Sequence, residues 1–131
     1  MNKFMRVGLL AVLILFGFGG ISNAATLFTP PLEVDFADST DVSLVCTITN
    51  ISQTSRQITI DIININGVSI NTVTDTVDPG ARLGAVQSSD NGTATPSHCK
   101  FDIKNGKKSS VRASACIFQV GIGCISALPA S

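Results

Sequence analysis

Four cysteines, Cys46, Cys99, Cys116 and Cys124, are set in stretches whose apolar residues recur at every second position, and this combination constrains the chain most. In an extended strand, residues two apart share a face, so alternation assigns each thiol a direction. Cys46 lies in the run VSLVCTI (42–48), on the same side as Val42, Leu44 and Ile48. Cys99 shares a face with Phe101 and Ile103. Both point to the core, one from an early strand and one from a late strand. Cys116 alternates out of phase with Val111, Ala113, Ala115 and Ile117, and so faces away. Its natural partner is Cys124, across the glycine-bearing connection 118–123. The expected bridges are Cys46–Cys99 and Cys116–Cys124. The sequence leaves Cys99–Cys116 with Cys46–Cys124 as the alternative.

Disulfides belong to an oxidising compartment, and the first residues supply the means of reaching one. Lys3 and Arg6 precede the uncharged run 8–20, and Ser22-Asn23-Ala24 ends in the small residues a signal peptidase reads. Residues 1–24 are read as a secretory signal cleaved after Ala24 or Ala25, of the compact bacterial kind. Residues 25–131 are read as a single disulfide-stapled domain with no membrane span. The expected location is secreted or periplasmic. Loss of Lys3 and Arg6 from a chain with nine basic and nine acidic residues leaves a slightly acidic protein.

Pro30-Pro31 forbids helix in an extended lead-in over 27–31. Leu32, Val34 and Phe36 then alternate with acidic residues as a first strand, and 42–48 is a second. Ile58, Ile60 and Ile62 continue the pattern before Ile63 and Ile65 change its phase, which predicts a bulge. Asn66-Gly67 predicts a hairpin turn into Val68-Ser69-Ile70, Thr72 to Val77 is β-branched again, and Asp78-Pro79-Gly80 turns the chain. Residues 82–86 read as a weak strand and 87–97 as the longest exposed loop. Ser97–Cys124 is expected to hold a hairpin turning at Asn105-Gly106. It places Ile103 opposite Val111, Phe101 against Ala113 and Cys99 against Ala115. Helical periodicity is absent after the signal.

About seven short strands at this spacing predict an all-β, antiparallel two-sheet sandwich. With a bridge clipping an early strand to a late one, the architecture resembles an immunoglobulin-type sandwich. The core Trp and corner Tyr of antibody-type domains are missing, since the chain has neither residue type.

Candidate chemistry is sparse. A metal site needs three or four convergent N or S ligands, and His98-Cys99 includes the only histidine. Glu33, Asp35, Asp38 and Asp41 cluster without calcium-loop spacing and read as solvated turn residues. No G-x-S-x-G turn accompanies His98, and a sugar-cleaving carboxylate pair would lack Trp or Tyr to stack on. No catalytic, metal or cofactor site is therefore assigned, and no enzyme is expected. Lys100, Lys104, Lys107, Lys108 and Arg112 hold five of the seven basic residues outside the signal. They are a weak candidate for contact with a polyanion. Nucleic acid is not expected, because Phe101 points inward and cannot stack on bases. Asn50-Ile51-Ser52 and Asn91-Gly92-Thr93 match the N-glycosylation pattern.

These observations lead to an exported, non-catalytic structural or binding protein of the envelope or medium. Its expected partner is another envelope protein or an acidic polymer. The alternatives are a surface fibre or adhesin subunit joined by strand addition, and a carboxylate-dependent hydrolase.

Overall fold

Eight strands follow in chain order: β1 (Ala25–Phe28), β2 (Val42–Asn50), β3 (Arg56–Asn64), β4 (Ser69–Val77), β5 (Arg82–Ser88), β6 (Ser97–Ile103), β7 (Val111–Gln119) and β8 (Gly123–Pro129). They come from a computed structural model, which describes residues 24–32, 42–88 and 97–131. Strand β2 shows how the pattern becomes structure. Val42, Leu44, Cys46, Ile48 and Asn50 are buried, and the four residues between them are half-buried. Strand β6 repeats this strictly, with Ser97, Cys99, Phe101 and Ile103 inside.

The strands form two four-stranded antiparallel sheets, β1-β6-β3-β4 (sheet A) and β5-β2-β7-β8 (sheet B). Their inner faces meet in one core, where Ile48, Ile58, Ile60, Ile62, Phe101 and Ile103 are fully buried. Each such side chain contributes about 1.5–3 kcal/mol relative to exposure. The Cys46–Cys99 bridge crosses this core from β2 to β6. It joins the sheets as in an immunoglobulin-type sandwich, while the strand order is this chain's own. Both expected bridges are present.

The hairpin expected between β6 and β7 is not formed. Strand β6 pairs with β1 and β3 in one sheet, and β7 pairs with β2 and β8 in the other. The expected pairing of Ile103 with Val111 is replaced by Ile103 with Ala25 and Ile58, and Val111 with Asn50. Parity could not separate the two arrangements. Apolar sets that share a sheet face and apolar sets that meet across a core alternate identically. The strand count rises for two reasons. The lead-in begins with β1, which adds to the edge of β6, and the chain beyond Cys116 returns as β8.

The expected bulge and the Asn66-Gly67 turn are both present. The register of β3 against β4 shifts between Ile62 and Ile63. The turn after β3 places Gly67 at φ 77°, a left-handed value that favours glycine. Strand β5 pairs with β2 over seven residues and is no weak element. Asn50 is fully buried and its Nδ2 donates to Thr54 O and Val77 O, both at 2.8 Å, so it is no glycan acceptor. The signal read over 1–24 (all but Ala24), the strand beyond Leu32, the acidic cluster, Asn91 and most of the 87–97 loop lie outside the described residues.

Candidate functional site

The connection from Ile103 to Val111 carries the chain from sheet A to sheet B across one end of the sandwich. Lys104 N–H donates to Gln57 O at 3.0 Å, and Arg56 donates to Asn105 O. Asn105 has φ 54°, a left-handed conformation asparagine tolerates. Gly106 is buried where a Cβ would stand 2.4 Å from Ile103 Cγ2, so a side chain there would displace the crossover. The 3₁₀ turn Lys108–Ser110 follows, and Ile51 N–H donates to Ser110 O at 2.9 Å.

This crossover exposes Lys104, Lys107 and Lys108, and Arg112 follows on the outer side of β7. Among the described residues none of these four makes an ion pair. Lys108 and Arg112 also border a groove of about 410 Å³ with Leu27, Val111, Ala113 and Ala130 on its walls. The result is a trough with largely apolar walls, Lys108 and Arg112 at its rim, and Pro129 and Ser131 completing its lining.

Lys100 belongs to a different surface. It lies on the outer face of sheet A, with Nζ 2.6 Å from Asp102 and 3.8 Å from Asp61. Its hydrogen bond to Asp102 raises the Lys100 pKa, against the opposing effect of burial. Burial by itself raises the pKa of Asp102, but hydrogen bonds from Lys100 and Thr26, with the Lys100 charge, outweigh it and hold that carboxyl below its ordinary value. The five basic residues are therefore divided, four towards one end and one inside an ionic lattice.

His98 is half-buried with its ring centroid 6.3 Å from that of Phe28. Its neighbour Cys99 is in the disulfide and offers no thiolate. Among the described residues no three His, Cys, Asp or Glu side chains converge as a metal set. The described side-chain carboxylates are Asp61, Asp75, Asp78 and Asp102. Asp61 and Asp102 flank Lys100, and Asp78 accepts from Ser55 Oγ at 2.6 Å. The Cys116–Cys124 bridge lies outside the core, on sheet B.

Sequence reasoning missed β8 and the groove beside it. The available signal was the absence of any charged residue after Arg112. Comparison with known proteins adds no relative: no family model, no curated protein and no solved structure matches this chain.

Proposed function

We propose that this chain is an exported, non-catalytic binding module that contacts an anionic polymer of the envelope or medium through its basic end. The carrying observation is that Lys104, Lys107, Lys108 and Arg112 stand at or beside one crossover without ion-pair partners among the described residues, beside a largely apolar groove. Unpaired cations on a rigid support attract polyanions and speed their encounter. The two disulfides fit an oxidising compartment, and no described helix is long and apolar enough to cross a membrane. A hydrolase would need carboxylates meeting in a cleft, whereas Asp61 and Asp102 stand on an open sheet face.

Titration of the oxidised protein with an acidic polysaccharide such as polygalacturonate tests this reading. Binding is expected at low salt and fades as the Debye length shortens from about 30 Å at 0.01 M to about 8 Å at 0.15 M. K107E and K108E together should weaken it about tenfold or more, and K100Q should leave it nearly unchanged. Absence of binding at low salt, or equal losses in both variants, would contradict the proposal.

Assembly by strand addition has a different support. Edge strand β8 has no charged side chain to deter a neighbour. It does carry Pro129, which has no N–H, and a register shift near Ser126, and both shorten the ladder an added strand would form.

A further inference from the structure

The outer face of sheet B is uncharged over three successive cross-strand rungs. The central rung is Val86, Val45, Cys116 and Ala127, one residue from each strand. On one side Ser88 and Ser43 lead to Phe118 and Cys124. On the other, the rung through Thr47 and Ser114 has no ionisable side chain either. Among the described residues charge appears on the fourth rung, where Arg82 and Arg112 flank Thr49. Val86 is 50 % exposed and Phe118 40 %, and the adjoining β7–β8 turn exposes Val120 and Ile122 at 67 % and 68 %. The disulfide Cys116–Cys124 holds β7 and β8 together across this face.

We propose that this face is a self-association surface, on which two copies of the chain pack sheet B against sheet B as a closed, two-fold dimer. Charge decides the occupant. A partner bearing ionic groups would find no counter-charge on three rungs and would have to desolvate those groups without return. An identical face brings none. The positions of Arg82 and Arg112 also fix the orientation. A two-fold axis running across the strands sets them antiparallel and sends the two arginine rungs to opposite ends of the contact. With the axis midway between the Ser114 and Cys116 rungs, the same operation lays Arg112 of each copy over Phe118 of the other, a favourable cation–aromatic pairing. A parallel arrangement would bring both arginine rungs to one end, where like charges repel. Sheet A cannot serve as the partner face, because Lys100, Asp61 and Asp102 are already matched to one another.

Four strands about 4.8 Å apart make a face only about 14 Å wide. That is small against the roughly 800 Å² per partner of a standard interface. The dimer is therefore reversible and appears with concentration. Closure by a two-fold axis also distinguishes it from a fibre, whose contacts continue indefinitely.

Sedimentation of the oxidised protein from about 1 μM to about 1 mM covers the range where such association reads out. The mass is expected to rise from monomer to dimer and stop. V45D and V86D should each weaken association about tenfold or more, with circular dichroism and unfolding midpoint showing an intact fold. T74D, on the outer face of sheet A, should dimerise like wild type. A monomer at every concentration would overturn the proposal. So would open-ended assembly, dimerisation retained in both valine variants, or loss of the dimer in T74D. Co-sedimentation with uncharged phosphatidylcholine vesicles through Val45, without dimerisation, would name a membrane as the occupant and overturn it equally. Sedimentation is read without polymer, so its outcome is separable from polymer binding, although Arg112 belongs to both surfaces.

Discussion

The two outer faces of the sandwich have the same strand geometry and opposite chemistry. On sheet A, Thr26 Oγ1 donates to Asp102 at 2.6 Å and Lys100 bridges Asp102 and Asp61. Thr72 Oγ1 donates to Asp61 at 2.6 Å, and Thr59 and Thr74 share a hydrogen bond of 2.8 Å. Among the described residues Asp61, Lys100 and Asp102 each have a mate there, on a neighbouring strand or two residues along. On sheet B the corresponding positions hold Val45, Val86, Cys116 and Ala127. A sheet that satisfies its own polar groups needs only water beyond it. One that presents apolar side chains on a disulfide-held frame leaves area to be buried by a partner. Edge protection follows the same division. Strand β4 carries Asp75 on its core-side phase, a charge that deters an added strand, whereas β8 relies on Pro129 and a register shift.

The largest effect should come from removing the bridge that holds the two faces to one core. Cys46→Ala with Cys99→Ala frees a 53-residue separation and should cost roughly 4 kcal/mol in urea unfolding. That is a large part of a total stability of roughly 5–15 kcal/mol. Cys116→Ala with Cys124→Ala frees a separation of only eight and should cost roughly 2.5 kcal/mol. Hydrogen exchange should then quicken in β7 and β8 while β3 and β6 keep their protection. Equal loosening of both sheets would break the contrast drawn between the faces.

Gly106→Ala acts on the crossover that joins the sheets. Its Cβ would overlap Ile103 Cγ2, at a cost of about 1–3 kcal/mol in thermal unfolding. The smallest effect belongs to the ionic lattice. Lys100→Met should cost about 0–1 kcal/mol, less at high salt, because both partners are partly solvated. Its pH dependence has a definite sign. The lowered Asp102 pKa contributes stability above the unfolded value of about 3.9, and that is lost as pH falls through the folded value. The raised Lys100 pKa contributes below about 10.4, and that is lost as pH rises through the folded value. Unfolding of wild type and K100M should therefore differ most at neutral pH and converge in acid.

Much of the fold was legible because parity is a strict code. It gave the core residues of β2, β3 and β6, both disulfides and the bulge after Ile62. It could not tell β6-beside-β7 from β6-across-from-β7, since either arrangement points Phe101 and Val111 to one core. Strand β8 escaped because its residues are mostly exposed and its alternation is broken by a register shift. The site was legible only in part. Sequence grouped five cations by proximity, and the crossover kept four while Lys100 fell to sheet A. The pairing of Lys100 with Asp102, two residues along the same strand, lay within reach of the alternation pattern, whereas its second partner Asp61 belongs to another strand brought beside it by register.

Solvent paramagnetic relaxation of side-chain methyls, measured at low and high protein concentration, tests the contrast between the faces most directly. The account expects the methyls of Val45 and Val86 to lose relaxation as concentration rises, while those of Thr59 and Thr74 stay constant. Equal change on both faces, or protection confined to Thr59 and Thr74, would contradict it.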